Sequence, residues 1–176
     1  MIAFEESKTR INLMRAFAGE SQARNRYTFA AALARQNRLE VVARTFDFTA
    51  GQEKEHAEIW FKLLHDGIGD TAANLQDAIG GETYEFTKMY PEMIKEAEAE
   101  GQTAVAKYMD MVNKVEEVHA NLYKKAAADN HAFDNVDFYV CKVCGYTHEG
   151  PCDSCPVCGA KAAAFFKVDD ACCLNK

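Results

Sequence analysis

Residues 1–140 of this 176-residue chain contain no cysteine; all seven cysteines fall between Cys141 and Cys173. A long first segment that needs no staple, and an odd total, make a disulfide framework a poor reading. Metal ligation is the better one. Long apolar runs are also missing. No stretch of about 18 apolar residues exists, so nothing is expected to span a membrane. Positive charge is in deficit, with 20 Lys and Arg against 27 Asp and Glu and a formal net charge of -7. A chain of that sign repels nucleic acid and anionic lipid, so neither is an expected partner. The opening MIAFEESKTR is polar and carries two early glutamates. It does not read as a signal peptide, and a cytoplasmic protein is expected.

What is present is a hydrophobic content of 48%, enough for one good core and a small appended module. Residues 5–130 read as four helices. One apolar stripe runs Leu13, Phe17, Glu20, Arg24, Tyr27, Ala31, Ala34; a second runs Val42, Phe46, Thr49, Glu53, His56, Trp60, Leu63. A stripe on the fourth helix runs Val105, Met109, Val112, Glu116, His119, Tyr123, Ala126. Steps of three and four mark the seam of a helix packed in a bundle. Breaks are expected at Asn37-Arg38, across 66–70, at Gly80-Gly81 and at Gly101. The third helix is expected over about 82–100 with a kink at Pro91, which cannot donate to the carbonyl four residues earlier. A long connection over 66–81 then gives four helices with one crossover, the ferritin-like topology. The helical pattern stops around 130–137. This divides the chain into an all-α bundle, 1–134, and a small four-cysteine metal domain, 135–176.

The seams carry residues that a core should not. Glu20, Glu53, His56, Glu82, Glu116 and His119 sit where Leu or Ile is normal. Burying uncompensated carboxylates costs several kcal/mol each. Lys and Arg are too few on the seams to neutralise them, with Arg24 the clearest candidate. A pair of divalent cations would do it. Glu53-x-x-His56 and Glu116-x-x-His119 each set a carboxylate and an imidazole one turn apart on a helix face. Glu20 and Glu82 add one carboxylate from each of the other two helices, completing the helix-bundle di-metal pattern. Glu53 follows Glu20 by 33 residues and Glu116 follows Glu82 by 34, so the halves read as near copies. Surface charges and satisfied core histidines would explain one such pair, but hardly two in phase with the seams. The donors suit iron, manganese or zinc, and the cysteine module tips the balance to iron.

The repeat breaks at one informative place. Glu85 follows Glu82 by three, whereas Ala23 stands at the equivalent place after Glu20. Four carboxylates balance two Fe(II) ions. A fifth becomes useful at Fe(III), which prefers oxygen to imidazole. Glu85 is therefore expected to join the site on oxidation and to displace His56; the alternative is a solvated helix residue. Tyr27 and Tyr90 lie about two turns beyond Glu20 and Glu82. They are expected either to hydrogen-bond the glutamates or bound oxygen species, or simply to pack in the core.

In the tail, Cys141-Lys-Val-Cys144-Gly and Cys155-Pro-Val-Cys158-Gly are two C-x-x-C-G knuckles. Two knuckles make a tetrahedral four-sulfur site for structural zinc or one-electron iron. Cys152 reads as a non-ligand in the loop between them. The purpose of Cys172-Cys173 is not legible.

The stretches GESQARNRY (19–27), EKEH (53–56), GETYEFTKMYPEM (81–93), EEVH (116–119), FYVCKVCGYTHEG (138–150) and CPVCG together resemble the rubrerythrin family. The resemblance covers nearly the whole chain. It implies Glu20, Glu53, His56, Glu82, Glu85, Glu116 and His119 as ligands of two irons. It also implies Cys141, Cys144, Cys155 and Cys158 as ligands of one rubredoxin-type iron. Further, it implies a peroxidase that reduces hydrogen peroxide to water in oxidative-stress protection, recharged by a rubredoxin or an NAD(P)H-dependent reductase. A homodimer is implied, with the four-cysteine iron of one subunit near the di-iron site of the other, together with the Glu85/His56 exchange. The knuckle loop with its extra Cys152 departs from the family pattern. The rivals are an iron-storing ferroxidase, against which the appended module argues, and a non-catalytic protein with a structural zinc ribbon.

Overall fold

A computed structural model describes residues 3–168; Cys172 and Cys173 lie outside the described residues. Two compact units meet in sequence at Ile68 and Gly69, and each is described by itself. Among the described residues, no helix is long and apolar enough to cross a membrane.

The first unit is a helical hairpin of α1 (Lys8–Gln36) and α2 (Glu40–His65). Ser7 caps α1 by accepting the Arg10 amide at 3.1 Å, satisfying one of the free donors of the first turn. The reversal expected at Asn37-Arg38 is there, with Arg38 in the left-handed region. The helices are antiparallel, since Phe17 meets Phe61 and Tyr27 meets Phe46. Buried Ala31, Ala34, Ala43, Ala50 and Ala57 form the seam. Small side chains let the two backbones approach closely. An Arg35–Asp47 ion pair closes the turn end.

The second unit begins with α3 (Thr71–Tyr84), capped by Asp70, which accepts the Ala73 amide at 2.8 Å. Here the expectation is corrected. Residues 71–81 are helical rather than a long loop, and Gly80-Gly81 do not break the chain. The connection from α2 is only 66–70. A helix-interior glycine costs about 1 kcal/mol against alanine, a penalty that packing against α5 outweighs. Pro91 is corrected too. A π turn, Glu85–Met89, precedes it, and the Tyr90 amide reaches back five residues to the Glu85 carbonyl. α4 (Tyr90–Ala99) then starts with Pro91 in its first turn, where no donor is required. The irregularity moves upstream of the proline and widens the helix. α5 (Thr103–Ala128) packs on α3 and α4.

Beyond α5, β1 (Phe138–Cys141) lies between β2 (Thr147–Glu149) and β3 (Phe165–Lys167) in an antiparallel sheet ordered β2-β1-β3. The two knuckles are built alike. The Gly145 amide bonds the Cys141 carbonyl at 2.8 Å, and the Gly159 amide bonds that of Cys155 at 2.9 Å. Both glycines have positive φ, 84° and 75°, where a Cβ would be strained. Not all expected seam positions are covered. Val42 and Leu63 on α2, and Val105 and Tyr123 on α5, are exposed. One face of a helix pair buries only what its neighbour reaches.

Candidate metal centres

In the first unit, α1 supplies Glu20 and α2 supplies Glu53 and His56. These three can bring ligand atoms within 4.8 Å of one another. The 3.6-residue period stacks His56 over Glu53, and His56 Nδ1 lies 2.8 Å from Glu53 Oε2. The Glu53 side chain is 15% exposed and that of His56 51%. The carboxylate is thus the more enclosed of the two and the imidazole the more exposed. Tyr27 packs on the Phe46 ring, centroids 6.0 Å apart. Arg24 Nη1 donates to Asn25 Oδ1 at 3.0 Å. Among the described residues Arg24 forms no ion pair, so it does not neutralise Glu20.

In the second unit, α3 supplies Glu82 and α5 supplies Glu116 and His119, again with ligand atoms within 4.8 Å. His119 Nδ1 stands 2.7 Å from Glu116 Oε2 and 3.7 Å from Glu82 Oε2. Burial lifts the Glu82 carboxyl above its ordinary value, and neighbouring Glu116 adds to the lift while His119 opposes it. Glu85, at the first position of the π turn, is not in the three-residue group but stands beside it. Burial raises its carboxyl, and the charge of Glu82 raises it further. Burial raises the Tyr90 phenol above its ordinary value, and the charges of Glu116, Glu85 and Glu82 raise it further. Half-buried carboxylates gathered around one imidazole nitrogen call for a cation. The oxygen and imidazole donor set fits iron.

The third group is Cys141, Cys144, Cys155 and Cys158. Cys141 and Cys158 sulfurs are 3.7 Å apart and those of Cys144 and Cys155 are 3.5 Å apart. A tetrahedral ion with metal–sulfur bonds of about 2.3 Å needs sulfurs about 3.8 Å apart, so the quartet fits one ion and no disulfide. Burial raises the Cys144 thiol far above its ordinary value and also raises Cys158. Burial pushes Cys155 upward as well, but amide hydrogen bonds from Cys158 and Val157 outweigh it, so Cys155 is lowered. Cys152 is outside the quartet; its thiol donates to the Ser154 carbonyl at 3.1 Å.

The rubrerythrin family model matches residues 12–127, and the rubrerythrin rubredoxin-like domain matches residues 139–166. The chain belongs to the rubrerythrin family. It is 39% identical to rubrerythrin of Porphyromonas gingivalis, covering 90% of this chain and 89% of that one. To rubrerythrin of Nitratidesulfovibrio vulgaris it is 34% identical over 94% and 96%. To nigerythrin of the same organism it is 33% identical over 87% and 85%. The structure of fully reduced, all-ferrous nigerythrin matches with a TM-score of 0.55 at 31% identity, covering 96% of this chain and 92% of the other. The fold class is therefore the ferritin-like helical one, followed by a small rubredoxin-like four-cysteine domain. As in the family, the cofactors are a di-iron site with carboxylate and histidine ligands and a four-cysteine site for one iron. The family places the chain among oxidoreductases of oxidative-stress defence that work with redox partners.

Sequence reasoning missed the π turn that sets Glu85 and Tyr90. No local signal announces it beyond Pro91, six residues after its start.

Proposed function

We propose that this chain is a non-haem di-iron peroxidase that reduces hydrogen peroxide to two waters. The two electrons come through its four-cysteine iron, and two protons complete the balance. The observation that carries the reading is the presence, in one rubrerythrin-family chain, of two carboxylate–imidazole groups and a four-sulfur quartet. A storage protein has no use for a private one-electron carrier.

Glu20, Glu53 and His56 would hold one half of the di-iron site, and Glu82, Glu116 and His119 the other. When bound, the irons supply Lewis acidity and two reducing equivalents. The protein supplies the rest. Four carboxylates match the charge of two ferrous ions. Glu85, beside Glu82, would bring a fifth when the charge rises, and His56, half exposed and bonded to Glu53, would be the imidazole that gives way. Burial, and after it the charges of Glu116, Glu85 and Glu82, oppose ionisation of Tyr90, so its hydroxyl stays a donor toward oxygen of the substrate. Tyr27, packed on Phe46, would offer its hydroxyl on the α1–α2 side. In this division of labour residues 1–134 hold the catalytic site and 135–176 the relay. An external rubredoxin or NAD(P)H-dependent reductase recharges the relay. The protein works as a homodimer in the cytoplasm.

The test is metal analysis together with peroxide-dependent NAD(P)H oxidation in the presence of a suitable reductase. Three irons per chain and peroxide-driven oxidation are expected. A colourless zinc protein with no peroxide response would sink the reading.

A further inference from the structure

Only residues 66–70 connect α2 to α3. A ferritin-like bundle contains one long crossover, which runs the length of the bundle and so joins two helices pointing the same way. In this chain those helices are α2 and α3. The two half-sites come level only when Glu53 and Glu82 do. Glu53 lies 12 residues before the end of α2 at His65, and Glu82 lies 11 residues after the start of α3 at Thr71. At about 1.5 Å per residue, α2 then ends about 18 Å beyond the metal level and α3 starts about 17 Å before it. Parallel and level, the two ends stand about 35 Å apart. Residues 66–70 reach only about 22 Å when fully extended.

Nor is the connection extended. Asp66 and Gly67 both have positive φ, 56° and 112°. Their amides close the last turn of α2 on the Lys62 carbonyl. At the other end Asp70 caps α3, and Asn74 Nδ2 donates to the Gly69 carbonyl at 2.7 Å. The connection is a fixed turn without slack. Each unit is nevertheless half of a site. Glu20, Glu53 and His56 offer two carboxylates and one imidazole, and so do Glu82, Glu116 and His119. Each unit also leaves apolar side chains exposed in phase with its ligands: Val42, Ile59 and Leu63 on α2, and Val105 and Tyr123 on α5. A second copy of this chain carries the missing half in matching form.

We propose that two copies of this chain exchange halves, so that every di-metal site is built from both. The α1–α2 hairpin of one copy, with Glu20, Glu53 and His56, packs on α3–α5 of the other, with Glu82, Glu85, Glu116 and His119. The turn at 66–70 then sends α2 and α3 into two different bundles, which its length permits. A short hinge that cannot fold back on its own chain favours such exchange. The proposal rests on the di-iron reading of the site. It goes beyond a homodimer, which closure within each chain would also allow.

The test uses the full chain and has two arms. In the first, differently tagged Glu53→Ala and Glu116→Ala chains are co-expressed, and mixed dimers are isolated through both tags. Each variant alone should lose peroxide turnover on the order of tenfold or more. With exchange, one site of the mixed dimer has both halves native and the other has both substituted. Half of the parental turnover and half of the parental bundle iron should therefore return. Without exchange every site keeps one substituted ligand, and mixed dimers as slow and as iron-poor as the single variants overturn the proposal. In the second arm, the same mixed dimers are chemically cross-linked and their peptides weighed, a readout that needs neither metal nor activity. Exchange joins peptides with native Glu53 to peptides with native Glu116, and substituted peptides to substituted ones. Links that instead join native to substituted peptides show closure within one chain and overturn the proposal, as does a monomeric chain that holds both bundle irons. Failure of the peroxidase reading would show separately, as a parent chain without peroxide turnover, and the cross-links would then decide the exchange alone.

Discussion

Glu85 is the residue on which the two halves of the chain differ most. Its partner position holds Ala23, and its carboxyl is raised by burial and by Glu82, so it stands near the half-site without belonging to it. Glu85→Ala is expected to keep full iron content and to slow peroxide turnover on the order of tenfold or more, the range seen when groups supporting a metal site are removed. Steady-state peroxide consumption beside metal analysis checks it; unchanged turnover would end the assignment. Cys152 makes the opposite case. Its thiol is taken up by the Ser154 carbonyl, outside the quartet. Cys152→Ser should therefore keep the four-cysteine iron and its visible spectrum. Both residues could be read from sequence, one from a broken repeat and the other from falling outside the knuckles. The exposure of His56 could not, because exposure depends on what a helix packs against.

At the scale of elements, the hairpin of α1 and α2 depends on small residues. Ala31 and Ala43 are fully buried. Ala43→Leu forces three extra carbons into a closed seam and is expected to cost about 1–3 kcal/mol, lowering the thermal midpoint measured by circular dichroism. Helix periodicity was readable because Glu-x-x-His and the alanine positions share the 3.6-residue phase. The α3 segment was not. Gly80-Gly81 and Pro91 are local breakers, yet the helix runs through the first pair and absorbs the second by widening into a π turn at Glu85–Met89. Packing against α5 decides this, and no short window of sequence contains it. π turns cluster at functional sites, and this one begins on the residue assigned to move.

At the scale of the molecule, the two kinds of metal centre divide the work. Cys158→Ser should abolish turnover with an external donor but leave a single oxidation of the pre-reduced di-iron site by peroxide, seen by rapid mixing. Loss of both would make the module structural. The pairing of these centres was legible from the knuckles and the Glu-x-x-His repeat. The seating of the module on α5 was not, because Lys125 and Glu149 read as ordinary surface charges and pair only in the folded unit.

The most direct test of the peroxidase reading is a stoichiometric one. The iron-loaded chain is fully reduced without oxygen, and hydrogen peroxide is added in measured steps while the four-cysteine colour and the remaining peroxide are followed. Under the proposed function each peroxide disappears with two electrons, no oxygen is released, and the colour returns as the di-iron electrons are spent. Peroxide that persists beside a still-bleached protein, or that vanishes with release of oxygen, would contradict it.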